Sequence, residues 1–392
     1  MGRKRMSWLG AAVVVLLALA LAAGGCGAQT KGEDAYVIGA IFDITGPASS
    51  LGIPERDSAK LLEEQVNAAG GIHGKPLKIL IEDNESDATV AVRVAKKLID
   101  ADKVLAIAGP STSGTSLALV DTVTKSEIAL VSAAASRLIV EPVEERHWVF
   151  KTAQNDSVVV EKIIAYLKGQ GINRVAFLSV NDAFGDSGRV EFETEAAAAG
   201  LEVVAMERFN ATDKDMSAQL TRVRTANPGA VVVWAIPPAA SIITKNFRQL
   251  GLEMPLIHSH GIGNRTFIDL AGEAANDVVF PVGKLLVAEQ LPDSDPRKEL
   301  LVDYATSFEE KFKQPRSTFG GHGYDAVALI VEAIKNAGPE ADRASIRDEL
   351  EKISGYHGIS GTYHMSAQDH SGLDSSALVM VGIREGKWVI IE

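Results

Sequence analysis

Arg174-Val-Ala-Phe-Leu-Ser179, Leu201-Glu-Val-Val-Ala-Met-Glu-Arg208 and Ala230-Val-Val-Val-Trp-Ala235 are short apolar runs, separated by longer stretches at 185–199 and 216–226. The runs have strand length and composition, and the stretches between them have helix length. Strand regularly following helix implies parallel strands, because a parallel connection needs a crossover that a helix supplies. The pattern extends both ways: a helix over 158–168 leads in, and a helix over 239–250 leads to a strand at 255–259. A second run precedes it. Tyr36-Val-Ile-Gly-Ala-Ile-Phe42 reads as a buried strand. Ala59, Leu62, Val66 and Ala69 then recur at helical spacing, and Gly70-Gly71 ends that helix. Strands at 77–82, 104–108 and 129–132 alternate with helices over 89–99 and from about Gly114. Two such runs predict an α/β protein of two doubly wound parallel-sheet lobes. The tail differs: helices over 298–313, 324–336 and 342–352 precede strands at 377–383 and 387–391, which flank the hairpin signal Glu385-Gly386.

The N-terminus carries Arg3, Lys4 and Arg5, an apolar run over 8–23, and the small residues Ala23, Gly24 and Gly25 before Cys26. A basic segment, a short apolar core and a small-residue cleavage site describe a secretory signal peptide. Cys26 is the chain's one cysteine, and its placement resembles the lipobox of bacterial lipoproteins, although that pattern prefers Leu where Ala23 stands. The expectation is a signal peptide over 1–25, lipid on Cys26, a tether over 26–35 and an extracytoplasmic body anchored to the membrane. An unlipidated signal peptide or an uncleaved anchor helix are the other readings.

Loss of residues 1–25 leaves 36 Lys and Arg against 51 Asp and Glu, a net charge of −15. An acidic surface argues against nucleic acid, whose phosphates call for Lys and Arg. With Cys26 lipidated, no thiol remains for a disulfide, a metal or a nucleophile. No later apolar run approaches the ~18 residues of a membrane span.

Ala108-Gly-Pro-Ser-Thr-Ser-Gly-Thr-Ser116 follows a strand and opens a helix. Glycine permits close backbone approach, and free amides at a helix start receive a carboxylate or other anion. Ordinary N-capping accounts for the hydroxyls equally well. The segment lacks the Lys of a phosphate loop, and Ser113 stands where a nucleophile elbow needs Gly. Ser132-Ala-Ala-Ala-Ser136 follows the next strand, either keeping space open there or forming a tight turn. His258-Ser-His260 suggests a metal, since alternate strand residues share a face, but no third ligand is evident and a structural or ligand-lining role is expected. Asp182, Phe184 and Trp234 fall near predicted strand ends, where core packing is the alternative for the aromatics.

These residues resemble the branched-chain amino acid-binding family of ABC-importer receptors, of the type I periplasmic-binding-protein fold. The telling pieces, in order, are Ile38-Gly-Ala-Ile-Phe-Asp-Ile-Thr-Gly-Pro47, Asn67-Ala-Ala-Gly-Gly-Ile-His-Gly-Lys-Pro76, Gly109-Pro-Ser-Thr-Ser113, the loop 132–136, Phe184-Gly185 and Gly320-Gly-His-Gly-Tyr-Asp-Ala326. The resemblance implies a three-stranded hinge, with crossings near Asn155, near 281–285 and near Ser360. Lobe 1 is then 36–155 plus 284–360, and lobe 2 is 156–283 plus 361–392. It implies a ligand carboxylate and amino group held by hydroxyls at Ser113 and Ser136 and by backbone at Ala134 and its neighbour Ala135. It places side chains near Leu51 and at Phe184 against the ligand's body, with Trp234 and Ile236 in an apolar neighbourhood. Family members that bind amino acids often carry Glu where this chain has His260, so the ammonium's counter-charge is missing unless Asp182 supplies it.

The function so implied is capture of a small carboxylate, a branched-chain or other amino acid, for an ABC permease. An aromatic or 2-oxo acid is the alternative ligand. A monomer is expected, with no cofactor, no metal and no catalytic residue. A sensory ectodomain calls for a downstream span or signalling domain, and none is expected on the pattern of the tail. A hydrolase calls for a nucleophile with an oriented base, which the motifs do not offer.

Overall fold

The computed structural model describes residues 35–391. The expected signal peptide, Cys26 and all of the expected tether but Ala35 lie outside the described residues. Five strands build the first sheet: β1 (Tyr36–Phe42), β2 (Leu77–Asp83), β3 (Ala106–Ala108), β4 (Ala129–Ser132) and β5 (Val149–Lys151). All pair in parallel, in the order β2-β1-β3-β4-β5. The second sheet starts with β6 (Arg174–Val180), β7 (Glu202–Phe209), β8 (Ala230–Trp234), β9 (Leu256–His258) and β10 (Val279–Gly283). A separate ribbon pairs β11 (Ser354–His357) with β12 (Thr362–His364). Strands β13 (Leu378–Arg384) and β14 (Lys387–Ile390) then return to the second sheet, antiparallel beside β10. Its order is β14-β13-β10-β9-β8-β6-β7.

Alternation along each strand explains why both sheets are covered twice. Ile38, Ala40 and Phe42 face the helix Thr318–Ala337, through Ala326, Leu329 and Ile330. Ile41, Ile107 and Leu130 face Leu98, Leu119 and Val123 on the other side. In the second sheet Leu178, Val231 and Val233 meet Ile243, Phe247 and Phe267. Phe177, Val232 and Trp234 meet Ile163, Leu167 and Phe192 behind. Parallel strands buried on both faces read as continuous apolar runs, which is why this alternation is visible in the sequence.

Two short strands are unread there. Strand β5 has three residues, one of them the fully buried Lys151. Strand β10 contains Pro281, which lacks the N–H that a ladder uses. It tolerates the proline because its ladder to β9 is confined to Val279 opposite Ile257. The terminal hairpin forms as the turn residues require: Glu385 and Gly386 both have positive φ, 48° and 68°, matching the strand twist.

The chain leaves the first sheet after Lys151 and reaches the second through the helix Asp156–Gly169. It comes back after β10, since the helix Thr318–Ala337 packs on the first sheet. Tyr363, Met365 and Leu373 also pack into that first core. We therefore draw the third crossing past Leu373, between it and β13, instead of near Ser360. The reason is local: Tyr363 Oη donates to Asp325 Oδ2 at 2.9 Å and to the Thr152 carbonyl at 3.0 Å, which ties β12 to the first core. Among the described residues no helix is long and apolar enough to cross a membrane.

Candidate functional site

Both sheets share one winding: β2-β1-β3-β4-β5 repeats as β7-β6-β8-β9-β10. Connections therefore turn in opposite directions from β1 and β3, and again from β6 and β8. Loops at such switch points part and leave a crevice beyond the strand ends. Here both crevices contribute to one cavity of about 430 Å³. Asp43, Ser111 to Thr115 and Ala133 to Ala135 line it from the first sheet. Asp182 to Phe184, Ile236 to Ala239, His260 and Gly261 line it from the second.

Of the residues expected from sequence, Leu51, Ser113, Ala134, Ala135, Phe184, Ile236 and His260 all line this cavity. Asp182 does too. Ser136 and Trp234 are not in its lining. The Ser136 hydroxyl accepts the Leu138 N–H at 3.3 Å, capping the turn Arg137–Ile139, while its own N–H donates to Ser113 Oγ at 3.2 Å. Ser136 thus braces Ser113 through its backbone N–H. Trp234 lies one layer behind. Its ring is fully buried, with centroids 5.7 Å from Phe184 and 6.0 Å from His260.

The anion-type wall is the start of the helix Ser113–Lys125, where Thr112, Ser113, Gly114 and Thr115 face the cavity. Thr112 makes no side-chain cap, so capping does not use up this helix start. The preceding turn, 109–112, is zipped to the end of β1. Asp43 N–H donates to Ser111 Oγ at 2.9 Å, and Ser111 N–H donates to Asp43 Oδ2 at 3.3 Å. Gly109 has φ +86°, and a Cβ there would sit 2.0 Å from the Ile41 carbonyl oxygen. Only glycine permits that approach.

The two histidines part company. His258 ends β9, and its Nε2 lies 2.9 Å from Thr244 Oγ1, deep in the core beside Phe267. His260 starts a short 3₁₀ turn, so the two-residue strand period does not carry through to it. It faces the cavity, and its Nδ1 has no protein partner. Burial first, then the charges of His322 and Lys151, lowers its pKa to about 3, so it is neutral at physiological pH. Among the described residues no group of three or more His, Cys, Asp or Glu is placed to hold a metal ion.

Two carboxylates border the cavity. Asp182 Oδ1 accepts the Gly185 N–H at 2.9 Å, capping the helix Ala183–Ala198. Burial raises its pKa, partly offset by that cap. Burial likewise raises Asp43, against hydrogen bonds from Asn84 and Ser111. Asp43 and His322 both lie inside motifs quoted above for their order, yet no pattern in the sequence marks either as cavity-facing. Lys151, outside the lining, donates to the carbonyl of the cavity-lining Ala135 and to Asn155 Oδ1 at 2.7 Å. Burial lowers its pKa and raises that of nearby Asp156, each charge opposing the other's shift.

Two doubly wound sheets sharing one cavity at their facing switch points make the architecture of a cleft-type solute receptor. The chain belongs to the periplasmic binding protein family, whose model matches residues 35–387. Its fold is that of the type I members. It superposes with TM-score 0.85 on an extracellular ligand-binding receptor from Rhodopseudomonas palustris HaA2, 27% identical, covering 92% of this chain and 100% of that one. The branched-chain amino acid transporter substrate-binding protein LivJ of Streptococcus pneumoniae, solved with isoleucine, gives 0.80 at 26% identity, covering 90% and 97%. The leucine-, isoleucine-, valine-, threonine- and alanine-binding protein of Pseudomonas aeruginosa is 26% identical over 336 residues, 84% of this chain and 86% of its own.

Proposed function

We propose that this protein is an extracytoplasmic receptor of an ABC importer, anchored by lipid on Cys26 and acting as a monomer. It captures a small carboxylate, a branched-chain or other amino acid, by closure of the two lobes, and presents the closed form to the permease. The observation that carries the reading is the uncapped helix start at Ser113, facing an otherwise mainly apolar cavity. Amides and hydroxyls there fix a carboxylate, while Leu51, Phe184, Ile236 and Phe319 surround its body. Asp182 or Asp43 supplies the counter-charge for an ammonium. Closure is supported by an ion pair between the lobes: Arg137 Nε lies 2.8 Å from Glu191 Oε1, joining the loop beside Ser113 to the helix Ala183–Ala198.

An aromatic or 2-oxo acid is the second reading, favoured by neutral His260 and by a cavity within the ~300–1,000 Å³ range of sites for larger organic ligands. A thermal-shift panel of L-leucine, L-isoleucine, L-valine, benzoate and 4-methyl-2-oxopentanoate separates the two. A true ligand at one hundred times its Kd stabilises the fold by about 2.7 kcal/mol. Stabilisation by the amino acids alone supports the first reading, and His260→Glu then strengthens it. Stabilisation by an ammonium-free acid supports the second, and no response to any carboxylate rejects both.

Ser113→Ala is expected to weaken binding of the responding acid by about 1.5–3 kcal/mol, since a bond to a charged group is lost and the Ser136 N–H loses its acceptor. Calorimetry measures it, and an unchanged Kd removes Ser113 from the site.

A further inference from the structure

Beneath the anion wall lies a carboxyl group that the binding reading does not use. Glu55, on the helix Ser49–Ala68, is fully buried. Its Oε2 accepts a hydrogen bond from Ser111 Oγ, and its Oε1 has no partner. The same Ser111 Oγ accepts the Asp43 N–H, so one hydroxyl joins the helix, the end of β1 and the turn 109–112. The packing leaves Glu55 no room to withdraw. A Cβ on Gly323 of the opposing helix would sit 2.7 Å from Glu55 Cα, and a Cβ on Gly52 would sit 2.3 Å from the Asp43 backbone.

We propose that Glu55 is a positioning residue of the anion site, fixing Ser111 and through it the turn that aims the amides and hydroxyl of 112–115 at a ligand carboxylate. The proposal rests on the carboxylate reading above for its ligand, but the positioning itself is a property of the free protein. Its chemistry is that of an uncharged acid. Burial pushes the Glu55 carboxyl well above the usual carboxylate range, opposed by the Ser111 bond and reinforced by Asp43. Asp43 is the charged group facing it from β1. The opposing helix presents Gly323 there, and that helix's Asp325 is engaged by Ser360 and Tyr363. On Glu55's own helix, Arg56 and Asp57 pair with each other at 2.7 Å. A second full negative charge beside Asp43 would oppose an incoming carboxylate, whereas a neutral acid offers Ser111 an acceptor without that penalty.

The sign of the linkage follows. Above the ordinary glutamate range, the folded state keeps a proton that the unfolded chain has released. The unfolding equilibrium then shifts toward the unfolded state by about tenfold per pH unit until Glu55 itself ionises. Glu55→Gln removes that slope, while the slope from Asp43 stays in both proteins and cancels in their difference.

The test compares native protein, E55Q and E55L. Hydrogen exchange of the peptide covering 109–116 is measured without ligand, and Kd is measured with L-isoleucine and with benzoate. E55Q keeps the acceptor for Ser111 and is expected to match native exchange, to bind within about threefold of native, and to show the flatter pH dependence of unfolding. E55L fills the space without an acceptor and is expected to speed exchange at 109–116 at least tenfold, with a matching loss of affinity. If E55L does not fold, Ser111→Ala removes the same bond from the other side and is read by the same exchange measurement. Native-like exchange in E55L or S111A overturns the proposal, as does an E55Q protein whose exchange and affinity fall to the E55L level. Native protein that binds neither acid, while exchange still separates E55Q from E55L, overturns the ligand reading and leaves the positioning role standing.

Discussion

Trp234→Ala is expected to destabilise the protein by about 3–5 kcal/mol, the range for removing a large buried aromatic from a packed core. Trp234 closes β8 and is fully buried. Its ring fills the space above Gly188, where a Cβ would come within 2.2 Å of it. It also stacks obliquely between Phe177, at 6.1 Å, and Phe184, at 5.7 Å. No neighbour can slide into the vacated volume without leaving its own layer, so the void persists. Phe184 and His260, both cavity-facing, lose their backing together. The measurement is the urea midpoint at unchanged m-value, since a shifted m would signal a changed native or denatured state. A loss below about 1 kcal/mol would mean that the site collapses around the void, and that Trp234 is not the platform beneath it.

That demotion of Trp234 from wall to platform shows where sequence reading stops. Strand parity assigns Trp234 to the same face as Val232, packed on the helices behind the sheet. From β8 the crevice is reached only past the strand end, as by Ile236. A shift of two residues past a strand end decides between core and cavity, and apolar composition carries no such resolution. Ser136 lies outside the cavity lining for a related reason. A serine after a strand can face a ligand or cap the next turn, and the Leu138 N–H claims it. By contrast, Leu51, Ser113, Ala134, Ala135, Phe184, Ile236 and His260, to which the family resemblance points, all follow the carboxyl ends of strands, in the connecting loop or the first turn of the next helix, and all line the cavity. Glu55 and Asp43 were not legible in the sequence, because burial of an acid depends on partners from distant segments. Ser111 is 56 residues from one and 68 from the other.

The turn that those partners hold carries the second large effect. Gly109→Ala is expected to cost both stability and ligand affinity. Its φ of +86° is a left-handed conformation that costs a side chain about 1–2 kcal/mol. The added Cβ would also sit 2.0 Å from the Ile41 carbonyl oxygen, an overlap that forces β1 and the turn apart for about 1–3 kcal/mol more. Neither side can yield cheaply. The Gly109 N–H donates to the Val131 carbonyl at 2.8 Å, and the Ala133 N–H donates to Pro110 at 3.0 Å, so the turn is wedged between β1 and the loop after β4. Displacing it moves Ser111 off Asp43 and Glu55 and tilts the amides of 112–115 away from the cavity. Gly169→Ala is the control: it ends a helix, a Cβ there meets nothing within 4 Å, and it is expected to be neutral or slightly stabilising. Chemical denaturation and calorimetry with the responding acid read both variants. G109A should lose stability and binding together while G169A loses neither. A G109A protein that keeps native affinity would show that the turn can relax, and that the helix start receives the carboxylate without rigid support.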